Sequence, residues 1–178
     1  MARVFSAVSI DESDVIDELI DVQDRLNLDF KPVEPEKLHI TFQFFQDVNE
    51  DEIESLKAAL ENIELEPFKL EIKGVGAFPS EDYIRVVWAG AEDEKMQELK
   101  QAVSRHDVED DNGNSFKPHV TLLRVENVSQ DRKRKLQKTI REFQDHSFGT
   151  IRVDSVKLYE SVLNSRGTVY KELYEKEL

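Results

Sequence analysis

The chain contains no cysteine. That excludes disulfides, iron–sulfur clusters and thiolate zinc sites. No apolar run approaches the ~20 residues a membrane-spanning helix needs, and the opening Met-Ala-Arg-Val-Phe-Ser lacks the layout of a signal peptide. A soluble, cytoplasmic protein is expected. Basic charge is scarce too: 24 Lys and Arg stand against 38 Asp and Glu, a formal net charge of −14. A generic nucleic-acid binder carries a broad basic surface, so a phosphate ligand would have to be held by a local cluster. The acidity otherwise reads as a solvated surface or as adaptation to a salty cytoplasm. Low-complexity segments and long linkers are absent, and residues 1–178 suit a single domain built of two small lobes.

Histidine numbers only four, yet two copies occupy one repeated frame. Lys37-Leu38-His39-Ile40-Thr41-Phe42 and Lys117-Pro118-His119-Val120-Thr121-Leu122 lie 80 positions apart. Each reads Lys, any residue, His, β-branched apolar, Thr, large apolar. Residues 38–45 alternate as a strand does, with Leu38, Ile40, Phe42 and Phe44 on a core face and His39, Thr41 and Gln43 on the other. Residues 116–125 make the second motif strand.

Around these strands the pattern predicts a strand over 3–9 and a helix reaching about Asn27, capped by Asp11 or Ser13. Residues 30–36, with Pro32 and Pro35, read as an extended connection. A second helix starts at Asn49 or Asp51. Residues 68–78 form a strand bent at Gly74 and Gly76, followed by a turn at 79–82 and a strand over 83–89. A helix over 91–105 leads into an exposed acidic loop at 107–115. Ser129 caps a helix to about Phe143, and its Arg and Lys run reads first as a solvated face, second as a contact for RNA phosphates. A long strand over 148–160, a turn at 164–167 and a strand over 168–174 close the chain. From the first motif onward, one unit of motif strand, helix, strand, strand occurs twice. That repeat implies a pseudo-two-fold and could place His39 and His119 across one cleft.

Two facing imidazoles suit general acid–base chemistry at phosphorus. Histidine titrates near ~6.5, so both protonation states are accessible at neutral pH. One can take a proton from water while the other gives one to the leaving oxygen. The threonines share their histidines' faces and can donate to non-bridging phosphate oxygens. A metal site is the rival, but each motif offers one imidazole and no Cys, Asp or Glu close by on its face, so no metal and no cofactor is expected. His106 and His146 lack the frame and read as surface or helix-end residues.

At these residues the chain resembles the 2H phosphoesterase superfamily, named for two His-x-Thr/Ser-x motifs. Within it the chain is similar to the RNA 2′,3′-cyclic phosphodiesterases, also called 2′-5′ RNA ligases. The likeness extends to Arg3-Val4-Phe5-Ser6-Ala7-Val8, Gly74-Val75-Gly76-Ala77-Phe78-Pro79, Arg85-Val86-Val87-Trp88-Ala89-Gly90, Leu158-Tyr159-Glu160-Ser161 and Tyr170-Lys171-Glu172-Leu173. It implies a bilobal α+β fold, two antiparallel sheets lining a central cleft with helices outside. It implies metal-independent hydrolysis of an RNA terminal 2′,3′-cyclic phosphate to a 2′-phosphate, with a 2′-5′ joining reaction on tRNA halves. His39 corresponds to the proton donor, His119 to the proton acceptor, and Thr41, Thr121 and Arg124 to phosphate ligands. Lys37, Arg85, Lys117 and Arg166 are candidate RNA contacts, Phe42 and Phe44 are expected in the core, and a monomer is expected. Strict alternation puts Arg124, five residues past His119, on the opposite face; reaching the phosphate requires a bulge or a side chain that wraps the strand end. The rival functions are a cyclic phosphodiesterase for a small nucleotide such as ADP-ribose cyclic phosphate, and a non-catalytic nucleotide- or RNA-end-binding module.

Overall fold

The computed structural model describes residues 1–27, 29–104, 116–165 and 167–178. His106, Arg166 and the loop expected at 107–115 lie outside the described residues. Strand β1 (Ala2–Ser9) runs into helix α1 (Ser13–Leu26), the two-residue strand β2 (Lys31–Pro32) and a single 3-10 turn at Pro35–Lys37. The first motif opens β3 (His39–Val48), followed by α2 (Glu50–Glu61), β4 (Phe68–Lys73), β5 (Val75–Pro79), β6 (Ile84–Gly90) and α3 (Glu94–Val103). The second motif opens β7 (His119–Arg124), and α4 (Gln130–Glu142), β8 (Ser147–Val153), β9 (Ser155–Asn164) and β10 (Gly167–Glu177) complete the order.

Local chemistry fixes most of these boundaries. Asn49 caps α2 in a reciprocal box with Glu52, its side chain accepting the Glu52 N–H at 3.0 Å while the Glu52 carboxylate accepts the Asn49 N–H at 2.7 Å. Ser129 caps α4 by accepting the Arg132 N–H. The first helix departs from expectation, because neither Asp11 nor Ser13 caps it. Glu12 holds the cap position without a side-chain cap. Asp11 instead accepts from the Ser9 hydroxyl, and Glu12 accepts the Arg152 N–H at 2.7 Å.

Two stretches that read as single long strands are each split between sheets. Gly74, at φ +79°, turns the chain between β4 and β5 and donates to the His146 carbonyl at 2.7 Å. Asp154 separates β8 from β9 and accepts from Leu178. The result is an antiparallel sheet in the order β10-β9-β1-β3-β7-β6-β5, with β2 beside β7, and a second antiparallel pair, β4-β8. The two half-sheets meet at the centre of the large sheet, where β3 pairs with β7 at one position, Ile40 opposite Val120.

The repeat also reaches further back than the motif strands. β1-α1-β3-α2-β4 and β6-α3-β7-α4-β8 follow one plan, with β1 beside β3 just as β6 is beside β7. Ile40, Val120, Val8 and Ala89 on the sheet pack with Leu19, Met96, Leu56 and Leu136 of the helices in one buried cluster. The histidines therefore stand on the face away from this core. The α+β class, the antiparallel sheets and the helices on the far face agree with the sequence.

Close approach of backbone and ring marks one point of this fold. A Cβ at Gly76 would lie 2.3–2.9 Å from three ring atoms of Trp88. Gly76→Ala must displace a buried indole that pairs across to Thr121. The expected cost is about 1–3 kcal/mol, as for other overpacked cores. It should appear as a lower denaturant midpoint at unchanged slope; an unmoved midpoint would contradict the packing described.

Candidate active site

Both motif strands carry the same interruption. On β1 the consecutive residues Ser6 and Ala7 pair with Gln43 and Thr41 of β3, so Phe42 is an extra residue. On β6 Val87 and Trp88 pair with Leu123 and Thr121 of β7, so Leu122 is extra. Each is a β-bulge, an additional residue on one strand of the pair. Each leaves two successive residues buried, Phe42 with Gln43 and Leu122 with Leu123. Alternation then resumes in the opposite phase. The residue five past each histidine returns to the histidine's face, and those residues are Phe44 and Arg124.

The bulge on β7 is thus what brings Arg124 to the cleft face. Its charge is close enough to His39, on the other half-sheet, to oppose protonation there. The bulge on β3 overturns the expectation that Phe44 lies in the core. Its ring is 46% exposed and packs on Phe5 at 5.5 Å between centroids. Phe42 is buried, as expected. Only strand pairing, and not residue type, could have revealed Phe44, since an isolated sequence shows the bulge just as two adjacent residues of unremarked phase.

The single Ile40–Val120 pair, with strands running in opposite directions, brings His39 level with Thr121 and Thr41 level with His119. Each imidazole is oriented the same way. Nδ1 of His39 lies 2.6 Å from the Lys37 carbonyl, and Nδ1 of His119 lies 2.7 Å from the Lys117 carbonyl. A carbonyl only accepts, so Nδ1 carries the proton and donates. That leaves Nε2 of both rings for proton transfer. The repeated lysine therefore serves through its backbone oxygen.

Aromatic rings fix the imidazoles laterally. His39 meets Phe5 at 5.1 Å and Tyr170 edge-on at 5.4 Å. His119 meets Phe78 edge-on at 4.8 Å, with Trp88 at 6.3 Å. Desolvation in these settings holds both histidines below the ordinary value, against the pull of the backbone hydrogen bonds. Positive charge adds to the effect: on His39 from His119 and Arg124, and on His119 from Lys117.

The remaining candidates lie at the rim. The Lys37 ammonium is paired with Glu34, whose hydrogen bond raises its pKa. Lys117 places its ammonium over the Trp88 ring at 4.5 Å. Arg85 donates from Nε and Nη2 to the Tyr83 hydroxyl at 3.0 and 2.5 Å and lies over that ring. The Arg85 carbonyl accepts from Val125 at 2.9 Å, so this pair sits level with the Arg124 end of β7. His146 pairs with Glu18 at 2.7 Å between Phe143 and Phe148, a packing role away from the cleft. Among the described residues no three His, Asp or Glu side chains are grouped to hold a metal ion.

Comparison with known proteins gives the fold first. A crystal structure of TT0787 from Thermus thermophilus superposes with a TM-score of 0.79 at 28% identity, covering 99% of this chain and 97% of that one. E. coli LigT complexed with 3′-AMP superposes with a TM-score of 0.79 at 21% identity, covering 99% and 98%. The family described as LigT like Phosphoesterase matches this chain twice, over residues 10–88 and 90–170, so each half carries one His-x-Thr motif. A protein of Methanothermobacter thermautotrophicus named RNA 2′,3′-cyclic phosphodiesterase is 35% identical over 96% of each chain. One of the same name from Methanocaldococcus jannaschii is 30% identical over 97% of this chain and 99% of its own. The chain belongs to the LigT-like phosphoesterase family, within the 2H phosphoesterase superfamily.

The electrostatics predict a pH dependence. An acid–base pair works with one imidazole neutral and one protonated, and burial holds both histidines below the ordinary value of ~6.5 in the free protein. The bell in kcat/KM, which reports the free enzyme, should therefore have its maximum below about pH 6.5, its two limbs belonging to the coupled pair. Arg124→Ala removes a cation that disfavours charge on His39, so the bell should shift to higher pH. A flat profile between pH 5 and 9, or a bell unmoved in that variant, would contradict the coupling.

Proposed function

We propose that this protein hydrolyses the 2′,3′-cyclic phosphate at an RNA end to a 2′-phosphate without a metal ion. The observation that supports it most is the meeting of two His-x-Thr strands at one pair, with both Nδ1 atoms anchored and both Nε2 atoms left to react. The names of the relatives at 30–35% identity point to the same substrate.

Neutral His119 takes a proton from water through Nε2 as the water oxygen bonds to phosphorus. The bond from phosphorus to O3′ breaks, and protonated His39 donates to O3′. Thr41 and Thr121 donate to the non-bridging oxygens. Arg124, across the cleft from His39, stabilises charge on the phosphoryl group as it transfers. The depressed values in the free protein are part of this scheme. A bound phosphodiester anion supplies the missing countercharge, so His39 protonates as substrate arrives and is then a strong donor. A 5′-hydroxyl in place of water would give a 2′-5′ phosphodiester through the same displacement.

Phe44 and Tyr170 on the His39 side offer ring surface for the nucleoside attached to the phosphate. This extends the site beyond the phosphate. It favours a nucleotide substrate over a bare phosphodiester.

His39→Ala and His119→Ala should each lose about 10²–10⁴ in kcat on a cyclic-phosphate RNA oligonucleotide. Replacing O3′ of the substrate by sulfur separates the roles, since a thiolate leaves without protonation. That substrate should restore turnover to His39→Ala and leave His119→Ala slow. Rescue of His119→Ala instead would exchange the two roles, and a 3′-phosphate product by mass and phosphate mapping would overturn the proposed direction of ring opening.

A further inference from the structure

The two halves of the repeat diverge in charge at equivalent helices. α2 carries five acidic residues and one basic residue. α4, its counterpart after the second motif, carries six basic residues and two acidic ones. These six are a quarter of the 24 Lys and Arg in a chain of net charge −14. Fold and packing are satisfied by both compositions, since each helix buries the same kind of residue at two positions, Leu56 and Leu60 or Leu136 and Ile140. The apolar face therefore does not require the basic run.

Much of this charge is left uncompensated. Among the described residues no carboxylate pairs with Lys133, Arg134 or Lys135. Lys138 lies 3.8 Å from Glu142, and Arg141 3.2 Å from Glu81. Arg134, Gln137, Lys138, Arg141 and Glu142 line a shallow depression of about 510 Å³.

The patch is also joined to the cleft. Gln137 donates to the Glu81 carbonyl at 2.7 Å, and Arg141 to its carboxylate. Glu81 lies in the turn between β5 and β6, which leads directly to the exposed Tyr83 ring and to Arg85. Val86 then pairs with Arg124. At its other end α4 starts six residues after Arg124, and Arg132 lies over Phe30 beside β2, whose Lys31 also pairs with Arg124. Cations and one exposed aromatic ring thus run from the phosphate cleft onto the outer face of the second half. α4, at 13 residues, adds about 20 Å to this path.

We propose that α4 and the Tyr83–Arg85 pair form a track for the RNA strand leading up to the processed end. The RNA body then leaves over the β5–β6–α4 side and avoids the acidic α2 side. This rests on the cleft being an RNA-end site. Phosphates meet Arg134, Lys138 and Arg141 as diffuse, sequence-independent contacts, and Tyr83 with Arg85 offers a flat surface for one base. The strong negative charge elsewhere repels RNA and confines it to this path.

The test compares wild type with Arg134→Gln/Lys138→Gln, both exposed positions, on an RNA oligonucleotide ending in 2′,3′-cyclic phosphate and on a nucleoside 2′,3′-cyclic monophosphate. The variant should lose roughly tenfold in kcat/KM on the oligonucleotide at low salt, through KM, and nothing on the mononucleotide. In a parallel binding titration with the same oligonucleotide ending in a 2′-phosphate, the slope of log K against log salt should fall by about 1.4 in magnitude, near 0.7 for each phosphate no longer neutralised. Glu50→Gln/Glu54→Gln on α2 changes net charge by the same magnitude in the opposite sense and should leave both assays unchanged. Equal loss on both substrates, an unaltered salt slope, or an equal and opposite effect from the α2 variant would overturn the track. So would wild-type self-association that the α4 variant abolishes while RNA binding persists, since α4 would then be a contact between copies. If wild type hydrolyses neither substrate, the catalytic proposal fails by itself, and the binding slope still decides the track.

Discussion

The site depends on one antiparallel contact, the pairing of Ile40 with Val120. Each residue points into the core, and its neighbours on either side point away from it. Fixing that one pair therefore fixes four side chains at once, His39 and Thr41 from one half-sheet and His119 and Thr121 from the other. Pairing is confined to this position, so each strand keeps its longer hydrogen-bonded edge within its own half, β3 on β1 and β7 on β6. Each histidine is thereby positioned by its own half of the sheet, and the two halves are related by a short junction. Duplication makes such a junction accessible. One strand–helix–strand plan, used twice, brings like side chains together across the axis.

A second constraint follows the first. A strand that offers His and Thr to a cleft can add a third group to that face only at even offsets, and a bulge alters this count. Both motif strands take the same bulge, one residue past the threonine. In one half the residue returned to the cleft is a cation, and in the other an aromatic ring. Equivalent backbone positions thus carry different chemistry, a guanidinium at Arg124 and an exposed aromatic ring at Phe44. The same asymmetry recurs at the helices, acidic α2 against basic α4. Net charge is −14, yet 16 of the 24 Lys and Arg lie in residues 90–178, so positive charge is concentrated in the second half.

Much of this could be read from the chain. The repeated Lys-x-His-x-Thr frame, the strand context of both copies, the Asn49 and Ser129 caps and the order of elements all follow from local pattern, because propensity and tertiary structure agree there. The misreadings share a cause. Phe44 in the core, one strand over 68–78 and one over 148–160 each assume that alternation continues unbroken. Bulges and sheet changes are set by which strand lies alongside, a non-local fact. The capping of α1 was hidden for a related reason: Asp11 has the right chemistry but accepts from Ser9, Ser13 is already inside the helix, and Glu12 at the cap position accepts the distant Arg152 N–H. The role of the repeated lysines was partly obscured as well. Residue type points to their ammonium groups, whereas their carbonyl oxygens orient the imidazoles.

That the two motifs make one phosphate site is the central claim, and a crystal structure with a nucleoside 2′-phosphate bound tests it most directly. The expected result is a single phosphate within hydrogen-bonding distance of Nε2 of both His39 and His119 and of both threonine hydroxyls, with the Arg124 guanidinium turned toward it and the base against Phe44. A phosphate that touches only one motif, or that binds outside the cleft while both histidines stay unliganded, would contradict it.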